Sequence, residues 1–69
     1  MAHFNAEYHK LDDAEVRVTV YRDPSGGWFL GREGDDQAYA PIPMGAFISA
    51  RAAQRWGDRH FPGGSWRPA

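Results

Sequence analysis

A strict alternation of apolar and polar residues limits what this chain can fold into. Within residues 15–21, one side of an extended chain carries Val16, Val18 and Val20. β-Branched residues at a period of two predict a strand with one buried face. The next segment, 22–27 (RDPSGG), combines a proline with two glycines. Those residues favour a turn, and they predict a hairpin loop.

The segment that follows the loop predicts the second strand of the hairpin. Residues 28–33 read WFLGRE, with large aromatic side chains at both periods. We expect Trp28 and Leu30 to face inward and Phe29 to be partly exposed. A short third strand over 38–40 is consistent with the sequence, because the prolines that follow would stop it.

The hydrophobic period changes to that of a helix after residue 43. The sequence predicts a helix over 44–60, with a proline at its first turn and a Pro-Gly-Gly segment after its end. Its predicted buried face is a row spaced by four residues and widened by Phe47: Met44, Ile48, Ala52 and Trp56.

Together these segments predict an α+β fold, in which an antiparallel β-hairpin or three-stranded sheet packs against one C-terminal α-helix. Residues 1–13 are polar and lack a period, so we expect a flexible N-terminal arm there, with a short strand near 4–8 as an alternative. The single domain would then span 14–69, and residues 65–67 would add a last short strand whose Trp66 covers the edge of the core.

The 69 residues contain no cysteine, so no disulfide can support the small core. No apolar run resembles a signal peptide or a membrane span. We therefore expect a protein of the bacterial cytoplasm that does not interact with membranes.

Groups suited to catalysis or metal binding lack the usual spacing. The hydroxyl residues lie outside any recognisable nucleophile motif, and no two histidines have the spacing of helical zinc motifs. A domain this small also has little depth for a dry pocket. The sequence therefore predicts no catalytic residue, no metal ligand, no cofactor and no enzymatic activity.

Charge is distributed unevenly along the chain. Residues 1–36 carry a net charge of −4 and residues 37–69 a net charge of +3. Arg51, Arg55 and Arg59 would form one stripe along the helix. That stripe is either a solvated face or a surface for phosphates or carboxylates. The acids before it, including Asp35 and Asp36, either bind a partner, pair with a second copy, or keep the protein soluble.

The ten aromatic residues exceed what so small a core can take. We expect three of them on the sheet face away from the helix: Tyr21, Phe29 and Tyr39. There they would pack on the arm or in a dimer, or contact a partner. The candidate partner-binding residues are therefore Arg51, Arg55, Arg59, Asp35, Asp36, Phe29 and Tyr39.

The hairpin built from VRVTV (16–20) and WFL (28–30), followed by an alanine-containing helix, resembles small phage-encoded anti-CRISPR proteins. The resemblance is one of architecture and covers about 45 residues. It implies a small protein-binding inhibitor that acts on a host protein complex, such as a surveillance complex or nuclease.

Two alternatives remain open at this point. Residues 21–24 running into Gly31 and Arg32 look like the arm-binding domain of phage integrases, which implies nucleic-acid binding, with the arginine stripe as the contact. The acidic surface argues against this reading. The second alternative is a homo-oligomer, such as a dimer, in which the basic helix of one copy docks on the acidic hairpin of another.

Overall fold

In the computed structural model, which describes residues 5–40 and 45–69, a four-stranded antiparallel sheet packs against one helix. The elements are, in chain order, β1 (Asn5–Leu11), β2 (Arg17–Arg22), β3 (Trp28–Arg32), α1 (Ala50–His60) and β4 (Arg67–Pro68). The strands lie in the order β3-β2-β1-β4. The predicted α+β class, with an antiparallel sheet on one C-terminal helix, is confirmed, and the sheet has one strand more than expected.

The additional strand comes from the segment predicted to be a flexible arm. Residues 5–11 instead form β1, which lies inside the sheet between β2 and β4. Its register with β2 shifts between Ala6 and Tyr8, where a β-bulge leaves Glu7 without a partner in β2. The bulge interrupts the period of two, so the sequence offered a short strand near 4–8 only as an alternative to the arm. That alternative overlaps β1 over residues 5–8.

The hairpin of β2 and β3 is confirmed together with its loop. The carboxylate of Asp23 holds the loop by accepting from the Ser25 hydroxyl at 2.7 Å and from the Gly27 amide at 2.9 Å. These bonds stabilise the ionised form and lower the pKa of Asp23, with the Ser25 hydroxyl making the largest contribution.

One face of the hairpin forms the core. Val18, Val20 and Leu30 are fully buried there, beneath Ala53 of α1. Trp28 lies on the same face and packs at its margin, whereas Phe29 is half-buried on the opposite face. The expected orientation of β3 is therefore correct.

The helix begins six residues later than predicted. Phe47 pairs with Trp28 of β3 through two backbone hydrogen bonds, of 2.8 and 3.3 Å, so the chain is still extended there. Ser49 then caps α1, and its hydroxyl accepts from the Ala52 amide at 3.1 Å. The predicted start at residues 43 and 44 lies outside the described residues.

This later start changes which residues the helix buries. Phe47 reaches the core from the bridge to β3, while Ile48 is 81% exposed. Ala53 and Gly57 form the buried line of α1. Ala52 and Trp56 are half-buried and pack against the core, so only these two members of the predicted row are confirmed.

The predicted third strand over 38–40 is also wrong. Tyr39 makes an isolated bridge to Leu30 in place of a strand. The last strand, β4, is formed by Arg67 and Pro68 and overlaps the predicted 65–67 at Arg67. The helix α1 ends at His60, as expected, and Phe61 caps it by donating its amide to the Gly57 carbonyl.

The segment after α1 returns along the end of β1. Gly64 has a φ of 78°, and a Cβ at this position would collide with the Leu11 carbonyl oxygen. A glycine is required here by both the backbone conformation and the space. Across the described parts of the chain, no helix has the length and apolarity needed to cross a membrane.

Candidate binding surfaces

A shallow depression occupies the sheet face opposite α1. Its floor is formed by alternate residues of β2 and β3, which point away from the core: Arg17, Thr19, Tyr21, Phe29 and Gly31. Its volume is about 360 Å³. We call this surface the sheet depression.

Two aromatic rings form the centre of the sheet depression. Tyr21 and Phe29 are directly opposite each other on neighbouring strands. Tyr21 also lies over Gly31, because a Cβ at Gly31 would be only 2.8 Å from the Tyr21 ring. The glycine therefore leaves room for the tyrosine ring, and Thr19, which pairs with Gly31, is only 8% exposed.

The rim of the sheet depression carries three carboxylates, and Arg17 and Arg32 also line the depression. The loop after β3 turns back through two backbone hydrogen bonds, from Glu33 to the Arg17 carbonyl and from Asp35 to the Arg32 carbonyl. This turn places Glu33, Asp35 and Asp36 around the depression, and all three are exposed. Three carboxylates thus lie beside two aromatic rings.

Tyr39 does not lie in the sheet depression, contrary to the expectation from sequence. It packs on the helix side, with its ring 5.4 Å from that of Trp56 and 5.3 Å from that of Phe61. Its hydroxyl donates to Asp35, which is the largest cause of a raised Tyr39 pKa. Tyr39 therefore holds the acidic loop from the helix side of the sheet.

The arginines of α1 lie on the other side of the molecule. Arg51, Arg55 and Arg59 are exposed, as the helical spacing predicts. Within residues 5–40 and 45–69 the ion pairs are Lys10 with Asp58 and Arg32 with Asp12, and neither uses these arginines. Their charge is therefore not compensated by a salt bridge to a described residue.

A groove between α1, Tyr8 of β1 and Trp66 is lined by two of the three helix arginines. It has a volume of about 510 Å³ and is lined by Tyr8, Ala50, Arg51, Gln54, Arg55, Asp58 and Trp66. Arg51 and Arg55 thus belong to a concave surface with two aromatic residues, whereas Arg59 does not line it. We call this surface the helix groove.

The wall of the helix groove is fixed by a buried lysine that the sequence reasoning missed. Lys10 of β1 has no exposed side-chain surface, and its ammonium lies 2.8 Å from Asp58 and 5.1 Å from the centre of the Trp66 ring. The Trp66 indole donates to the same Asp58 oxygen at 3.0 Å. One carboxylate therefore holds both β1 and Trp66 against α1.

Trp66 also depends on a small residue in the helix. A Cβ at Gly57 would lie 3.0 Å from the Trp66 ring and 3.4 Å from Leu30. The glycine lets the indole approach the helix backbone closely. The contact between Lys10 and Trp66 joins segments that are distant in sequence, which is why no local pattern predicts it.

A second acid is used for structure directly after the last residue of β1. The Asp12 carboxylate is buried and accepts from the amides of Ala14 and Val16 and from the Arg32 guanidinium. The Val16 amide is the largest cause of a lowered Asp12 pKa. Asp12 therefore stabilises the turn from β1 to β2 and is not available to a partner.

The predicted binding residues thus separate into two groups on opposite sides of the sheet. Phe29, Asp35 and Asp36 meet at the sheet depression, while the three arginines follow α1. Among the described residues, no group of three or more His, Asp or Glu side chains is placed to hold a metal ion. Comparisons of the chain with models of protein families, with curated proteins and with solved structures find no match.

Proposed function

We propose that this chain is a small, non-enzymatic protein-binding module that inhibits a host protein complex, as the resemblance to phage-encoded anti-CRISPR proteins implies. The contact would be made by the sheet depression. The observation that carries the proposal is the juxtaposition there of Tyr21 and Phe29 with the exposed carboxylates of Glu33, Asp35 and Asp36.

The chemistry of the sheet depression fits a basic partner surface. Aromatic faces attract lysine and arginine side chains, and they supply contact area at a low cost in side-chain entropy. Carboxylates at the rim pair with the same cations and speed their approach over distances of about 10 Å at moderate salt. A partner surface that normally holds nucleic acid is rich in such cations.

Binding energy and association rate would depend on different residues of the sheet depression. The aromatic pair would form the desolvated centre of the interface, where most binding energy is usually found. Asp36 would act at the rim, where charge mainly changes the association rate and its dependence on salt. A contact of this kind requires no movement of the sheet.

Affinity capture from a bacterial host lysate tests the proposal with single variants. Asp36→Lys is preferable to Asp35→Lys, because Asp35 also holds the Tyr39 hydroxyl. Glu7→Lys is the matched control, since it makes the same change in charge and lines neither concave surface. Phe29→Ala tests the aromatic centre, and a thermal melt of each variant verifies that it is folded.

We expect one captured partner to be retained by Glu7→Lys and lost or strongly reduced with Asp36→Lys and Phe29→Ala. The reduction with Asp36→Lys should be larger at low salt, because salt screens charges at the rim. If folded Asp36→Lys and Phe29→Ala variants captured the partner as well as the unmodified protein did, the sheet depression would not be the binding surface.

A further inference from the structure

We propose that the helix groove is a second binding site, which takes an extended acidic segment of a partner protein. The helix groove lies on the opposite face of the sheet from the sheet depression. Binding there does not depend on the surface proposed above. The inference begins from Arg51 and Arg55, which line a concave surface without a salt bridge to any described carboxylate.

The spacing of these two arginines matches that of alternate side chains in a strand. Four residues of helix advance by about 6 Å, at 1.5 Å per residue. Side chains two residues apart on one face of an extended chain are separated by about 6.7 Å. Two carboxylates at positions i and i+2 of an extended segment would therefore reach Arg51 and Arg55 together, and each guanidinium can hold a carboxylate with two hydrogen bonds.

The opposite wall of the helix groove suits the residue between the two acids. In an extended segment that residue points the other way, toward the wall formed by Tyr8 and Trp66. Both of these aromatic residues are half-buried, and Trp66 is held in place by Asp58 and by its contact with Gly57. The groove thus fits an acid–apolar–acid sequence, with acids toward the helix and the apolar side chain toward the aromatic residues.

The charges around the groove favour an acidic peptide over a nucleic acid. Affinity for nucleic acid grows with the number of phosphates neutralised, and it needs a concentrated basic surface. Here two arginines stand beside the carboxylate of Asp58, in a protein with a net charge of −1. A short segment with two carboxylates meets both cations and extends little beyond them.

Nitrogen-15 NMR with a defined probe tests the proposal. The probe is the peptide acetyl-Gly-Glu-Leu-Glu-Gly-amide, and its control replaces both glutamates by glutamine. The reporter is the indole N–H of Trp66, which lies in the groove wall and is assigned by its loss in Trp66→Phe. A thymidine oligonucleotide is the third ligand and tests the nucleic-acid alternative.

We expect the glutamate peptide to shift the Trp66 indole signal with a dissociation constant near the millimolar range, and the glutamine peptide to leave it unchanged. Arg51→Gln and Arg55→Gln should each weaken binding about fivefold, the upper range for one exposed ion pair. Arg59→Gln is the matched control on the same helix and should have no effect, because Arg59 does not line the groove. Glutamine retains the helix preference of arginine.

Three results would overturn the inference. One is the absence of a shift with the glutamate peptide at several millimolar. A second is an equal loss of affinity in Arg59→Gln, which would indicate general electrostatic attraction and no defined groove. The third is tighter binding of the oligonucleotide than of the peptide, with the same dependence on Arg51 and Arg55, which would assign the groove to nucleic acid.

Discussion

The ion pair between Lys10 and Asp58 predicts an asymmetric response to mutation. The two partners differ in environment, since the Lys10 side chain has no exposed surface and that of Asp58 is 55% exposed. Removing the carboxylate leaves a buried ammonium without its counter-charge. Removing the ammonium leaves a carboxylate that water can still reach and that still accepts from Trp66. We therefore expect the loss of Asp58 to be the more costly change.

The sizes of the two effects follow from these environments. Asp58→Ala should lower the free energy of unfolding by about 3 kcal/mol, the lower end for removing one partner of a buried pair. Lys10→Met keeps the length of the buried side chain and loses mainly a half-exposed ion pair and a cation–π contact, at a cost of about 1 kcal/mol. The position of Asp58 near the C-terminus of α1 opposes the helix dipole, which reduces the cost of its removal slightly.

Urea unfolding followed by circular dichroism measures both changes. With a slope of about 1 kcal/mol per molar urea for so small a domain, the midpoint should fall by about 3 M in Asp58→Ala and about 1 M in Lys10→Met. The double variant Lys10→Met/Asp58→Ala should be more stable than Asp58→Ala alone, because no unpaired charge is left buried.

Two outcomes contradict this reasoning. Equal costs for the two single variants would mean that the burial of Lys10 does not determine the energetics of the pair. A double variant no more stable than Asp58→Ala would mean that the carboxylate acts mainly through Trp66. In that case Trp66→Phe, which keeps an aromatic ring but loses the indole donor, should reproduce most of the loss.

Three further predictions concern stability. Trp56→Ala should lower the free energy of unfolding in urea by about 2–3 kcal/mol. The loss is smaller than for a fully buried tryptophan because Trp56 is half-buried and stacks on His60. A loss below about 1 kcal/mol would show that this aromatic contact is not part of the core. Gly64→Ala should cost about 2 kcal/mol or more in the same assay, since its Cβ would meet the Leu11 carbonyl at a positive φ; an unchanged midpoint would contradict this. The pKa of Asp12 is lowered from its usual 3.8 in the folded protein. The contribution of Asp12 to the free energy of unfolding is therefore complete above pH 3.8 and is lost as the pH falls through the lower folded value. Acid unfolding should show a weaker dependence on pH in Asp12→Asn than in the unmodified protein.

The parts of the fold that could be predicted from sequence are those with a local cause. The valines of β2 and the Pro-Gly loop are sufficient for the hairpin, whose core face carries Val18, Val20 and Leu30 at its centre. In β1 the corresponding position is Lys10, whose burial depends on Asp58, 48 residues away. A charged residue in a core position and the bulge at Glu7 both interrupt the alternation of this strand, so the sequence offered only a short strand near 4–8, as an alternative to the arm.

The helix shows a similar limit. Ile48 and Ala52 have helical spacing, but Ile48 precedes the Ser49 cap and is exposed. Whether the helix begins before or after this residue depends on the backbone pairing of Phe47 with β3, which is a tertiary contact. The spacing therefore identified a helix correctly and its first turn wrongly.

The candidate surfaces were only partly accessible to sequence reasoning. The arginine row and the acidic loop are visible as charges at fixed spacing. Which face Tyr39 occupies depends on its bridge to Leu30, and the helix groove depends on Tyr8 and Trp66 meeting from opposite ends of the chain. A pattern within one segment contains no information about such tertiary contacts.

The separation of acidic and basic side chains by the sheet gives the protein an electric dipole across its thickness. The carboxylates of the loop after β3 point to one side, and the arginines of α1 lie on the other. Near its isoelectric point of about 6.2 the molecule should orient in an external field despite its small net charge. On weakly salted ion exchangers of either sign it should be retained, with opposite faces toward the two matrices, until screening over about 10 Å removes the orientation.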